Sequence, residues 1–495
     1  MGIGRSFRLL ILTDVHYAAA PADAVGPARR RCLLGRELLR RALTDARRRG
    51  GFDAVAVLGD LLNRGDASDR ADQDLAELAD DVFAAIGDAP LLLVPGNHDG
   101  PAERVYKAFD ERPGPRQIGH LRFFVFVDAY DQTDRCTRLE EDRRRFGEFA
   151  SAGEGPIIVL QHNPVHPAID DPYPYMHTNR EQVLADYAQA GVLLSLSGHY
   201  HKGTGPAPLG GVTYFTAPAL CEAPFCYSLA EIQGRDVRIR THCLALESEP
   251  PLVDSHAHTE FAYCGRDISA ADEIDRARAF GLGGLFLVEH APQLYVTKEE
   301  FYSGQHVRRP ELWTSGRCRR MDDFRQAMLP LRDGFVRVGL EVELDADDRL
   351  ILDDADRGWQ DILVGAVHFL NKDHSQYSDA EMAAEFMRVN RRLIQHGVHV
   401  LAHPWRVFTW FGRTVPTHLY GELADLLAAS NVAAEINFHL NANDPAFFRI
   451  CVQRGVKLAL GSDAHTPEEM ADLHDHLAFL REIAEGRELS ELLAF

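Results

Sequence analysis

Lysine is scarce in this 495-residue chain. Only Lys107, Lys202, Lys298, Lys372 and Lys457 contribute to the 53 basic residues, and arginine supplies the rest. A basic surplus is missing as well: 74 acidic residues leave a net charge of −21. Residues 1–247 hold 28 basic and 34 acidic side chains, leaving 25 and 40 for the remainder. Neither half therefore offers the positive field that draws in a nucleic-acid backbone, and no stripe of interleaved aromatic and basic residues replaces it. Cysteine is thin, at eight residues. Cys221 and Cys226 are too far apart for a CxxC pair and have no partner pair, so a disulfide framework is not expected and a reducing cytoplasm suits the chain. Long apolar runs are absent too. Leu9–Leu12 is cut short by Asp14 and His16, which excludes a signal peptide or membrane span there.

The length exceeds one ordinary core, so two domains are expected. The polar, helix-breaking run Glu247-Ser248-Glu249-Pro250-Pro251 marks the linker, giving domains at 1–247 and 252–495. In the first, apolar runs predict strands at Phe7–Leu12, Ala54–Leu58, Leu91–Val94, Phe123–Val127, Ile157–Leu160, Leu193–Leu196 and Val212–Thr216. Amphipathic helices are expected over Leu33–Arg49, Ala71–Ile86 and Arg180–Ala190, and hairpin-like β sequence near Phe225–Leu246. In the second, strand and helix alternate from Leu252 onward, the last helix being expected over Pro467–Glu485. That alternation argues for α/β layers or a barrel.

The residues just past each strand carry the chemistry. In the first half the runs lead into Asp14-Val15-His16, Gly59-Asp60, Gly96-Asn97-His98-Asp99, Gln161-His162 and Gly198-His199-Tyr200-His201. Ligand-type side chains thus collect at the same ends of successive strands, where α/β sheets place their sites. A mixture of His, Asp and Asn suits divalent Mn, Fe or Zn. Asn63 is either a support for this site or a loop cap, and His166 and His177 read as rim residues.

This ordered set resembles the calcineurin-like metallophosphoesterases over about residues 6–246. The resemblance implies a two-sheet αββα sandwich with a dinuclear centre. Position by position, it implies that Asp14, His16, Asp60 and His201 hold one metal, and that Asp60 bridges to a second held by Asn97, His162 and His199. It makes His98 the acid or phosphate-contacting residue, with Asp99 orienting it. Two close metals lower the pKa of a shared water and stabilise the transition state of phosphate transfer, and His98 can protonate a leaving alkoxide.

The second half opens on Asp254-Ser255-His256-Ala257-His258 and closes on Gly461-Ser462-Asp463-Ala464-His465. Between lie Glu289-His290, Gly339-Leu340-Glu341, Val367-His368 and Ala402-His403-Pro404. Alternate residues of a strand point the same way, which lets an HxH pair serve one cluster. This set resembles the PHP (polymerase and histidinol phosphatase) family over about residues 252–486. The resemblance implies a distorted (β/α)7 barrel with up to three Zn, Mn or Fe ions on His256, His258, His290, Glu341, His368, His403, Asp463 and His465. Where many members carry a further His, this chain has Cys264. It is either a thiolate ligand or a small buried residue beside a weakly held third metal. Arg406 reads as a candidate contact for substrate phosphate, with surface solvation weighed equally. Arg308, Arg309, Arg317, Arg319 and Arg320 lie in a long insertion that reads as a lid or a solvated loop.

The leading functional expectation is a bifunctional metal-dependent hydrolase of small phosphorylated substrates. Its first site would cleave a phosphodiester or phosphomonoester by metal-bound hydroxide, and its second a phosphomonoester. The alternatives are a metal-dependent nuclease, disfavoured by the acidic charge, or one active domain beside a regulatory one.

Overall fold

The computed structural model describes residues 6–27, 29–131, 133–166, 173–316, 318–441 and 443–495. The chain divides into two compact units, Met1–Ala245 and Leu246–Phe495. No helix among the described residues is long and apolar enough to cross a membrane.

In the first unit the apolar runs are strands covered on both faces, which is why they read as near-continuous hydrophobic sequence rather than alternation. Phe7–Leu12 lies in the middle of a five-stranded sheet. It pairs in parallel with Ala54–Val57, Leu9 facing Ala54, and antiparallel with Cys226–Gln233, Phe7 facing Ile232. Leu91–Leu93 and Asp236–Cys243 close the two edges. A six-stranded sheet runs in the order Ala207–Leu209, Val212–Thr216, Val192–Ser197, Ile157–Leu160, Leu121–Val125, Gly114–Ile118. Leu9, Ile11, Ala54 and Ala56 from one sheet meet Phe123, Val125, Ile158 and Leu160 from the other in one buried cluster. The next residues along face outward. Phe124, Phe126 and Val159 form a second cluster with Phe146 and Tyr187 of the helices Glu140–Ser151 and Arg180–Ala190.

The second unit has seven parallel strands in chain order: Val253–Ala257, Gly284–His290, Val336–Val342, Ile362–Gly365, Val400–Leu401, Ala433–Asn437 and Leu458–Gly461. Together they form a nearly closed barrel. The seam between first and last strand is held by single bonds rather than a ladder. Ser255 Oγ donates to Leu460 O at 2.8 Å, and the Asp463 amide donates to His256 O at 2.7 Å. The register shifts between Asp254 and Ala257. A bulge of this kind re-aims side chains at a barrel rim, and it falls on His256.

Two expectations change in detail. The helix expected over Pro467–Glu485 begins at His474. Residues before it turn back so that the Glu469 carboxylate accepts from the amides of His465 and Thr466. The long insertion holds four short α-helices among the described residues, Lys298–Tyr302, Gln305–Arg308, Glu311–Thr314 and Met321–Met328. Arg317 lies outside the described residues.

Candidate metal centres

In the first unit the motif residues converge on Asp60. His16 Nε2 and His162 Nε2 lie 3.4 and 3.3 Å from Asp60 Oδ2. His201 Nε2 is 3.4 Å from Asp14 Oδ1 and 3.3 Å from His16 Nε2, and His199 Nδ1 is 3.1 Å from His162 Nε2. Asp14, His16, Asp60 and His162 are buried. One set of ligand atoms joins Asp60, His162 and His199, and another joins His16, Asp60 and His98, each within 4.8 Å. Asp60 belongs to both sets.

The backbone is strained to achieve this. Asp14, His16, Asp60 and His199 all have positive φ, between 46° and 63°. Non-glycine residues hold that conformation at a cost of about 1–3 kcal/mol each, and such strain gathers at functional sites. Gly96 answers a different need, since a Cβ there would strike the Asp60 carboxylate.

Hydrogen bonds fix the ring orientations. His162 Nδ1 donates to Leu58 O at 2.6 Å, leaving Nε2 toward Asp60. Thr13 Oγ1 donates to Asp14 Oδ2 at 2.7 Å. His98 Nδ1 donates to Asn63 O at 2.9 Å, and the His98 amide donates to Asp60 Oδ1 at 2.9 Å. Asn63 therefore fills both expected parts: its carbonyl holds His98, and its side chain bonds Asp23 O and Val25 O in the adjoining loop.

The orienting role expected of Asp99 is corrected. Its carboxylate accepts from the amides of Leu62 and Gly96, both at 2.8 Å, and so fastens two site loops together rather than holding the His98 ring. Burial and the nearby Asp60 charge push its carboxyl up to about 7. His177 is corrected too. It is buried, with Nε2 2.9 Å from Asp128 in a network with Arg138, rather than at a rim.

Two residues escape a reading of the sequence alone. Glu222 Oε1 lies 2.6 Å from His201 Nδ1, behind the ring. Burial opposes charge on His201, but Asp14 and Glu222 prevail and raise it to about 9. The buried Cys221 places its sulfur within 4.8 Å of ring nitrogens of His16 and His201. Neither residue follows a strand in a recognisable motif.

In the second unit the hub is Glu341, buried on its strand. Oε2 lies 2.5 Å from His290 Nδ1 and 3.7 Å from His256 Nε2, while Oε1 lies 3.0 Å from His403 Nε2 and 3.5 Å from His368 Nε2. His258 Nε2 is 2.9 Å from Asp463 Oδ1, and the His258 ring stacks on His290 with centroids 4.2 Å apart. His465 approaches His258 edge-on at 4.8 Å. Ligand atoms of His258, His290 and His465 form one compact set, and those of His256, His258 and Asp463 another. His403 and Asp463 carry positive φ. At the strand end beside them a Cβ on Gly461 would strike Glu435 and His256.

Behind these rings stand carboxylates that were not among the expected ligands. Glu435 Oε1 is 2.8 Å from His256 Nδ1, Glu343 Oε1 is 3.1 Å from His368 Nδ1, and Glu289 Oε1 is 3.5 Å from His258 Nδ1. Such partners set the tautomer and raise the basicity of a ligating imidazole. His439 stacks on His465 at 4.1 Å with its Nδ1 2.8 Å from Glu469.

Cys264 Sγ lies 3.4 Å from His290 Nε2, so the structure puts it beside the cluster. Burial pushes its thiol up to about 12. Arg406 is corrected. It is buried, and its Nη2 donates to Asp463 Oδ2 at 2.5 Å and Asn437 Oδ1 at 2.8 Å, so it positions a site carboxylate instead of facing phosphate. The insertion's arginines also have internal partners: Arg308 bonds Ser303 O, Arg309 pairs with Glu311, and Arg319 lies 4.0 Å from Asp356. Arg320 bonds Phe261 O and Gln293 O and lies over the Tyr263 ring, which tethers the loop bearing Cys264.

Both clusters pass a test of fitness for divalent metal. Buried atoms that should have hydrogen-bond partners lack them: Asp14 Oδ1 and Asn97 Oδ1 in the first unit, His256 Nε2, His290 Nδ1 and Glu341 Oε2 in the second. An unpartnered buried polar atom costs about 1–3 kcal/mol. His290 Nδ1 and Glu341 Oε2 lie 2.5 Å apart without hydrogen-bond geometry.

The family model for calcineurin-like phosphoesterases matches residues 7–203. Curated protein sequences give no match. Among solved structures, a dimetal phosphatase from Danio rerio is 17% identical over 48% of this chain and 98% of its own, with a TM-score of 0.40. A putative histidinol phosphatase from Listeria monocytogenes is 14% identical over 45% and 99%, with a TM-score of 0.36. A Plasmodium protein described as the anchor in the inner membrane complex is 11% identical over 49% and 90%, with a TM-score of 0.34. At such identities and scores these are resemblances alone. The family match, on a unit whose buried histidines and carboxylates suit divalent metals, places a calcineurin-like phosphoesterase domain at residues 7–203 and makes the chain a metal-dependent phosphoesterase.

Proposed function

We propose that the chain is a bifunctional phosphoesterase, with a dinuclear centre in its first unit and a PHP-like centre of up to three metals in its second. The supporting observation is the pair of buried hubs, Asp60 and Glu341, each set among histidines whose ring nitrogens converge on its carboxylate.

In the first centre Asp14, His16, Asp60 and His201 would hold one divalent ion, and Asp60, Asn97, His162 and His199 the other. Mn, Fe or Zn bound there supplies charge neutralisation for a phosphate and an activated water. The protein's own part begins with His98. Its Nδ1 is committed to Asn63 O, so Nε2 is the atom that exchanges a proton with the leaving oxygen. A cavity of ≈ 550 Å³ opens over Asp60, Asn97, His98 and His199. Arg29, Arg30 and Lys202 on its wall bring positive charge to an acidic unit and would face the phosphate.

In the second centre His256, His258, His290, Glu341, His368, His403, Asp463 and His465 would hold the metals. Arg406 keeps Asp463 in place, and Glu435, Glu289 and Glu343 orient the rings. The substrate expected there is a phosphomonoester. Two sites in one chain favour a relay in which the first opens a diester and the second removes the remaining phosphate. Inorganic phosphate released from a diester by the metal-loaded chain tests this. Glu341→Gln should stop phosphate release while diester cleavage continues. Unchanged phosphate release in that variant would rule the relay out.

A further inference from the structure

Resting on the reading of the first cluster as a metal centre, we propose that Cys221 is one of its ligands, donating a thiolate to the ion held by His16 and His201. The centre is thereby biased toward thiophilic divalent ions, Zn, Fe or Co, over Mg.

Three observations converge. The ligand atoms of His16, His201 and Cys221 all lie within 4.8 Å of one another, a spacing that one ion can span. Local backbone pairing holds the cysteine there. The Leu220 amide donates to Thr13 O at 3.0 Å, and the Cys221 amide donates to Asp14 O at 3.1 Å. The Arg31 amide donates to Cys221 O at 2.9 Å. The segment is thus laced to the same loop that presents Asp14 and His16. Finally, Asp14 Oδ1, on a fully buried side chain and 3.4 Å from His201 Nε2, has no hydrogen-bond partner.

The neighbouring residue strengthens the case. Glu222 Oε1 sits behind the His201 ring, 2.6 Å from Nδ1, so two consecutive residues, Cys221 and Glu222, approach the same histidine. On coordination the S–H bond breaks, a sulfur–metal bond forms and the proton leaves to solvent, with no change of oxidation state. Soft thiolate among imidazole and carboxylate donors shifts selectivity toward Zn, Fe and Co and away from Mg.

Cobalt(II) is the probe, added to the full chain carrying Cys264→Ser so that the thiol beside the second cluster cannot contribute. The proposal expects a near-ultraviolet thiolate-to-cobalt charge-transfer band alongside the visible d–d bands. Cys221→Ser in that background should abolish the charge-transfer band and retain d–d absorption. A band that persists, or one absent from the outset while d–d intensity sensitive to Asp60→Asn is present, overturns thiolate ligation and leaves the metal-centre reading intact. If Asp60→Asn removes no d–d intensity, the metal-centre reading falls and the proposal with it. A zinc X-ray absorption measurement on the Cys264→Ser protein needs no Cys221 variant. It should contain a sulfur shell at about 2.3 Å, and a shell of nitrogen and oxygen alone contradicts the proposal.

Discussion

Asp60 in the first unit and Glu341 in the second play the same part, a buried carboxylate among histidines, but they are placed by opposite means. Asp60 sits on a loop in left-handed backbone, as do Asp14, His16 and His199. Stacked open sheets end their strands side by side, so the loops must bend sharply to bring ligands onto one point. Glu341 lies within its strand, as do His256 and His290 within theirs. A closing barrel already aims its strands at a common mouth, and among its candidate ligands only His403 and Asp463 take positive φ. The sandwich stores strain in its loops, whereas the barrel uses curvature and a line of supporting carboxylates.

The sharpest way to break the comparison is at the proton donor. His98→Ala should lower kcat of the first unit by ~10²–10⁴-fold. Turnover attributable to the second unit should be untouched, since His98 belongs to the first unit alone. Initial rates on mono- and diester panels read this directly, and an equal loss on every substrate would mean that one centre does all the chemistry.

A smaller effect separates the units by stability. Arg138 and Asp128 form a buried ion pair in the first unit, Nε to Oδ1 at 2.5 Å, with the guanidinium over Phe126. Burial alone would raise the Asp128 carboxyl, but Arg138 and His177 hold it well below the usual carboxylate range. Its contribution is therefore present above that range and is lost as pH falls through the depressed value. Arg138→Met strands a buried charge and should cost about 3–5 kcal/mol. Hydrogen exchange should quicken in Leu121–Val125 and Ile157–Leu160 while the barrel strands hold steady. Equal acceleration in both units would refute this assignment.

Smaller still is the support behind the rings. Glu222→Gln and Glu435→Gln should each weaken metal binding by about 10–100-fold in their own unit. Titration with a competing chelator measures it. If Glu222→Gln left affinity unchanged while Glu435→Gln lowered it, carboxylate support would be a property of the barrel alone.

Much of this is legible in the sequence, for a physical reason. Doubly covered strands must be apolar throughout, so Phe7–Leu12 or Ile157–Leu160 stand out, and a ligand immediately after such a run is seen with it. The His, Asp and Glu of the two clusters lie within or next to these runs. The hidden part is set by pairing across distance. Glu435 is an ordinary strand residue until the fold brings it to His256, 179 positions away. Cys221 and Glu222 follow no strand motif and are placed by backbone bonds to Asp14 and Arg31. Arg406 and Asp99 mislead for a related reason: a charged group beside a motif suggests contact with substrate or with its neighbour. The partners that Arg406 and Asp99 find, Asp463 and the Leu62 amide, are 57 and 37 residues away.

The most direct test of two separate metal-dependent centres compares Asp60→Asn with Glu341→Gln. Each full chain would be loaded with manganese or zinc, analysed for bound metal and assayed on matched phosphodiesters and phosphomonoesters. The account predicts that each change removes metal from one unit only and abolishes a different part of the substrate panel. Identical losses from both changes, or full turnover of every substrate in either variant, would contradict it.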